Sequence, residues 1–123
     1  MRLAFCQLKI YNKSMEQFQK YMDKNINLDN VKNSEQLEKF GISCEYLPDP
    51  PEDFDEFEFV TDFKGKNVSI GITIELGKIK KIMFGLIDPE KPDVIKAFNE
   101  SEMEEFLRQK GDKLIQFFDY ITQ

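Results

Sequence analysis

Apolar side chains fall on every second residue through three successive segments between Phe57 and Leu86, with Phe57, Phe59 and Phe63 alternating with Glu58, Val60 and Asp62. Val68, Ile70, Ile72 and Ile74 continue the pattern, as do Ile82, Phe84 and Leu86. A period of two turns one face of a strand to a core and the other to solvent, so the three segments read as an antiparallel meander. A two-residue turn at Gly65 and Lys66 sets Phe63 opposite Val68, Thr61 opposite Ile70, Phe59 opposite Ile72 and Phe57 opposite Ile74. At the next turn, a two-residue loop would set Lys81 against Ile74. A three-residue loop of Gly77, Lys78 and Ile79 instead sets Ile74 opposite Ile82, Ile72 opposite Phe84 and Ile70 opposite Leu86. A one-residue slip would move every side chain to the other face, so the pattern selects the second register. That register also sets Glu75 opposite Lys81, and Gly71 opposite Gly85, on the outer face.

The flanking segments are less regular. Cys6, Leu8 and Ile10 alternate with polar residues and suggest a first strand within residues 1–10. Ser14 with Gln17 caps a helix over 15–24, whose apolar positions are Met15, Phe18 and Met22. Asn25 to Asn30 is rich in turn formers, and Asn33 or Ser34 then caps a short helix carrying Leu37 and Phe40 and stopped by Gly41. A brief strand, Ile42 to Leu47, precedes Pro48, Pro50 and Pro51, which remove backbone donors and end regular pairing. Asp88 to Pro92 is a loop, and residues 93–99 fit a helical turn or a short strand equally. Ser101 and Glu104 form a capping box for a last helix with the stripe Met103, Phe106, Leu107, Leu114, Phe117, Phe118 and Ile121, and Gly111 marks a place for a kink. The expected fold is α+β: one domain over 1–123, an antiparallel meander sheet of four to five strands, and helices covering mainly one face. A chain of 123 residues is long enough to build such a core without staples.

Composition then removes chemistry. The chain has no His and no Trp, so the usual general base, the commonest zinc ligand and the strongest stacking residue are missing. It contains no GxGxxG, P-loop, GxSxG elbow or zinc-ligand spacing, and eight acids in one stretch select no carboxylate pair for hydrolysis. The expectation is a non-enzyme without cofactor or metal; a small hydrolase with a carboxylate site is the weaker reading. Cys6 and Cys44 stand among apolar residues and read as small buried hydrophobes. No stretch is long and apolar enough to span a bilayer, and the apolar start lacks a cleavage site, so a cytoplasmic protein is expected. A net charge of -6 disfavours direct contact with nucleic acid or an anionic membrane.

That charge is unevenly spread. Residues 45–63 contain eight acids and no Lys or Arg: Glu45, Asp49, Glu52, Asp53, Asp55, Glu56, Glu58 and Asp62. Residues 64–81 carry a net +4. The acids form an edge suited to a basic protein partner, or a solvated edge that resists aggregation, and Phe54 among them is the candidate exposed anchor. A calcium site is disfavoured, since the spacing of an EF-hand loop is absent. Ser69, Gly71, Thr73 and Gly85 make a smooth outer sheet face that offers an alternative, as the docking surface of a module in a larger assembly. In composition alone, such small acidic domains resemble toxin-immunity proteins and phage-encoded inhibitors. The expected role is therefore a non-catalytic, immunity-protein-like inhibitor of a basic partner, such as a nuclease toxin, with Glu45, Asp49, Glu52, Asp53, Phe54, Asp55, Glu56, Glu58 and Asp62 at the contact. A symmetric dimer through an exposed strand edge stays open.

Overall fold

The structure, a computed structural model, describes residues 13–123. The strand expected within residues 1–10, with Cys6, lies outside the described residues. The meander is present: β1 (Ser43–Tyr46), β2 (Phe54–Phe63), β3 (Lys66–Glu75), β4 (Lys78–Ile87) and β5 (Ile95–Ala97) pair antiparallel in the order of the chain. Helices α1 (Leu28–Val31), α2 (Ser34–Lys39) and α3 (Glu100–Ile121), together with a 3-10 helix at Lys13–Tyr21, complete an α+β fold. Among the described residues, no helix is long and apolar enough to cross a membrane.

Both hairpin turns sit one residue earlier than the sequence reading placed them. Lys64 and Gly65 lie at φ 52° and 75°, and Leu76 and Gly77 at φ 52° and 80°, so each is a two-residue turn with both residues left-handed. Glycine takes the second turn position rather than the expected first. The first register is accordingly Phe59 opposite Ile70 and Phe57 opposite Ile72. This differs from the expectation by two residues, and a shift of two preserves the faces. In the second hairpin a bulge between Thr73 and Ile74 replaces the three-residue loop, so that Ile70 meets Phe84 and Ile72 meets Ile82. Lys81 stands opposite Thr73, Glu75 opposite Lys78 and Ser69 opposite Gly85.

The inner face is filled by Phe57, Phe59, Phe63, Val68, Ile70, Ile72, Ile74, Ile82 and Phe84, all buried. Helix α3 lies over it. Phe117 meets Phe59 edge-on at 5.0 Å between ring centroids, and Phe106 contacts Phe63, Phe84 and Phe98 at 5.4, 5.5 and 5.2 Å. The 3-10 helix completes the layer through Phe18, 5.5 Å from Phe84 and 5.4 Å from Phe118. Tyr21 is fully buried with its hydroxyl donating to Asp119 Oδ1 at 2.6 Å, and burial raises that hydroxyl's pKa above the ordinary phenol value. Gly111 is buried beside Gln17 inside α3, which runs through it without a break.

Polar residues fasten α3 at both ends. Asn99, not Ser101, is its N-cap: the Asn99 side chain accepts from the Glu102 amide at 2.8 Å, and Glu102 accepts from the Asn99 amide at 3.2 Å. The box shifts two residues because Phe98, immediately before it, stacks on Phe106 and fixes the entry of the chain. At the other end, the Asn27 amide donates to the Ile121 carbonyl at 2.7 Å and the Asn30 side chain to that of Tyr120 at 2.8 Å. The expected turn formers thus cap a helix about ninety residues away in the chain. The helix expected over 15–24 ends at Tyr21. Asp23 (φ 65°) turns the chain so that residues 23–26 line the start of β4, with the Asp23 amide on the Ile79 carbonyl at 2.8 Å and the Ile26 amide on that of Gly77 at 2.9 Å.

Two substitutions test this packing. Phe106→Ala removes the ring shared by three others and is expected to cost about 3–5 kcal/mol in urea unfolding. Gly85→Ala would put a methyl group 2.3 Å from the Ile95 side chain and 3.2 Å from the Lys96 carbonyl, and is expected to cost about 1–3 kcal/mol. A loss below half a kcal/mol in either variant would contradict the packing.

Candidate functional site

The acidic segment begins in a loop whose shape comes from its prolines and from one carboxylate. Asp49–Pro50 is a cis peptide. Asp55 accepts from the Glu52 amide at 3.1 Å and from the Glu56 amide at 3.0 Å, which folds the chain into the start of β2. Asp55 is therefore committed to the loop. Asp49 is paired with Lys32 of the α1–α2 connection at 2.5 Å, and Asp62, at the far end of β2, with Lys110 of α3 at 3.4 Å. Glu58 accepts from the Ser69 hydroxyl at 2.8 Å across the outer face. Structure thus divides the eight acids: Asp49, Asp55, Glu58 and Asp62 are engaged, whereas Glu45, Glu52, Asp53 and Glu56 form no ion pair with any described residue.

Exposed apolar side chains accompany the unpaired acids. Phe54 is 63% exposed, as expected of an anchor, and Tyr46 is 41% exposed. Tyr46 stands opposite Glu58, on the face that carries Phe54 and Glu56, and is displaced from Phe54 by one strand and by about 13 Å along the strand direction at 3.3 Å per residue. Leu76, 70% exposed, closes the group: its amide donates to the Asp53 carbonyl at 2.6 Å. Sequence reasoning missed Tyr46 and Leu76. A bulge between Cys44 and Tyr46 sets which face Tyr46 takes, and Leu76 looked like a strand residue until the turn was placed one position earlier.

Elsewhere the outer face is closed. Ser69, Gly71, Gly85, Ile87 and Ile95 are buried there, with the Ile95 side chain occupying the space beside Gly85. Phe54, Glu56, Glu75 and Lys78 are exposed at one end of that face and Asp62 and Asn67 at the other, with Ser43, Tyr46 and Ala97 exposed on its edge strands. A shallow notch opens where β1 begins at Ser43 and β2 runs on past Val60, with the Thr61 hydroxyl donating to the Gly41 carbonyl at 2.8 Å. Among the described residues, no group of three or more Cys, Asp or Glu side chains is arranged to hold a metal ion. The chain matches no protein-family model, and comparisons with curated proteins and with solved structures returned no match.

Cys44 departs from its expected role as a buried hydrophobe, since it lies exposed on the short edge strand β1. Desolvation around its sulfur and, secondarily, the Glu45 carboxylate push its thiol up, leaving it protonated at neutral pH. Thiolate is the reactive form, so Cys44 is expected to react with iodoacetamide more slowly at pH 7 than an unperturbed free thiol. Rapid alkylation at neutral pH, followed by mass spectrometry, would refute this assignment.

Proposed function

We propose that this protein is a non-catalytic, immunity-protein-like inhibitor that binds a basic protein partner through the acidic end of its sheet and acts by occupying the partner's site. The observation that carries the reading is Phe54, held exposed among Glu52, Asp53 and Glu56, whose carboxylates form no ion pair with any described residue. Carboxylates without internal partners retain their full field, which steers a cationic surface toward the loop and disfavours anionic ones. An aromatic ring inside that field supplies what charge alone does not, a desolvated centre with short-range fit. A nuclease or other effector that handles nucleic acid offers the matching chemistry, a basic cleft that a row of carboxylates fills in place of phosphates. No bond is made or broken in this mechanism.

The test is capture from extracts of the native host, washed first at low and then at high salt and read by mass spectrometry, with the wild type beside a Glu52→Lys/Asp53→Lys variant and a Phe54→Ala variant. The expected result is one basic protein retained by the wild type, released by salt, lost from the charge-reversed variant and weakened at least tenfold by Phe54→Ala. Retention that ignores all three residues, or the absence of a basic protein, would exclude the reading. The purified partner's activity on nucleic acid, measured with and without the wild type, then reports inhibition directly.

A further inference from the structure

Phe54 stands in solvent, yet the backbone that carries it is fastened on both sides. Upstream, Pro48, Pro50 and Pro51 each fix a φ angle, and Asp49 is tied to Lys32 at 2.5 Å. The Asp53 carbonyl, immediately before the ring, accepts from the Leu76 amide at 2.6 Å and so joins the loop to the turn between β3 and β4. Asp55, immediately after it, uses its two carboxylate oxygens separately. Its Oδ2 accepts from the Glu52 amide at 3.1 Å and its Oδ1 from the Glu56 amide at 3.0 Å. One side chain thereby bridges amides on either side of Phe54. Alternation along β2 sets Asp55, opposite Ile74, on the face away from the ring, so the carboxylate braces the backbone from behind and leaves the ring uncovered.

We infer that Asp55 is a positioning residue: together with the Leu76 amide it holds Phe54 in its binding conformation before any partner arrives. The inference rests on the inhibitor reading for the use to which the ring is put. An exposed ring on a mobile loop would lose backbone freedom on binding, and that loss opposes association; a braced ring has lost it already, on folding. Asp55 acts through Phe54 and not by touching the partner, which separates it from the other acids of the segment. The partner that fits such an anchor presents a preformed apolar socket with basic residues at its rim, because a ring held in one place enters a matching cavity without rearrangement of the loop.

Nitrogen-15 relaxation of the purified protein reads the brace with no partner present. In the wild type, the amides of Glu52, Asp53, Phe54 and Glu56 are expected to show order parameters of about 0.85, those of a rigid backbone. In Asp55→Ala, those of Glu52, Asp53 and Phe54 are expected to fall below about 0.6. Asp55→Asn loses the same charge but keeps one acceptor oxygen, so it is expected to lie between the two and separates hydrogen bonding from charge. Both variants are expected to keep the wild-type thermal midpoint within a few degrees, since the brace lies outside the core; a merely structural role would lower the midpoint and leave the loop ordered. In the salt-washed capture, Asp55→Ala is expected to hold the basic partner about tenfold more weakly than the wild type, with Asp55→Asn in between. A loop that is mobile in the wild type, a loop that stays ordered in Asp55→Ala, or undiminished capture by that variant would each overturn the inference. If the wild type captures no basic protein, the inhibitor reading fails, and relaxation still decides whether Asp55 holds Phe54 in place.

Discussion

Burial of one sheet face beneath a single long helix is the constraint from which the other features follow. Phe59, Phe63 and Phe84 on the sheet and Phe106, Phe117 and Phe118 on α3 interlock through edge-on and tilted contacts between 5.0 and 5.5 Å. Aromatic pairs in such geometry contribute beyond the area they bury. They also fix how the helix sits, because a ring that must meet three others leaves little freedom to slide. Much of the polar chemistry inside the fold serves that placement. The Asn99–Glu102 capping box holds one end of α3, Asn27 and Asn30 hold the other, and Asp119 satisfies the buried hydroxyl of Tyr21.

Once the inner face is committed, the charged residues of β2 have only the outer face and the sheet end to occupy. Their density there is thus partly a by-product of alternation. What alternation does not require is that several of them form no ion pair with a described residue while Asp49, Glu58 and Asp62 find partners. Nor does it require Phe54 and Leu76 to stand in solvent, one at a strand start and the other in a left-handed turn position. These residues cost stability or solubility and gain nothing inside the fold, which makes the Phe54 end of the sheet the natural place to look for function.

The errors of the sequence reading share a cause. Both hairpins were recognised and the faces of all three central strands assigned as they stand, since a mistake of two residues in register leaves the faces alone. The turns themselves were misplaced because Gly65 and Gly77 fit either turn position by composition, and only backbone conformation shows that Lys64 and Leu76 accept the left-handed one as well. The last helix was recognised with its apolar stripe, but two overlapping capping boxes were available and packing of Phe98 chose between them. Cys44 looked internal because its neighbours are apolar, yet β1 is a sheet edge whose four residues are all exposed.

The sequence by itself determined the α+β class, the antiparallel meander, the apolar face and the acidity of the segment from Glu45 to Asp62, because periodicity and composition are properties of consecutive residues. Tertiary structure alone decided which acids find ion-pair partners, which aromatic side chains stay in solvent, and that Glu56 and Lys81 share a row across three strands. Partners such as Lys32 and Lys110 reach the acidic segment from distant helices. Contacts between residues far apart in the chain are set by how the layers pack, and no local pattern encodes them.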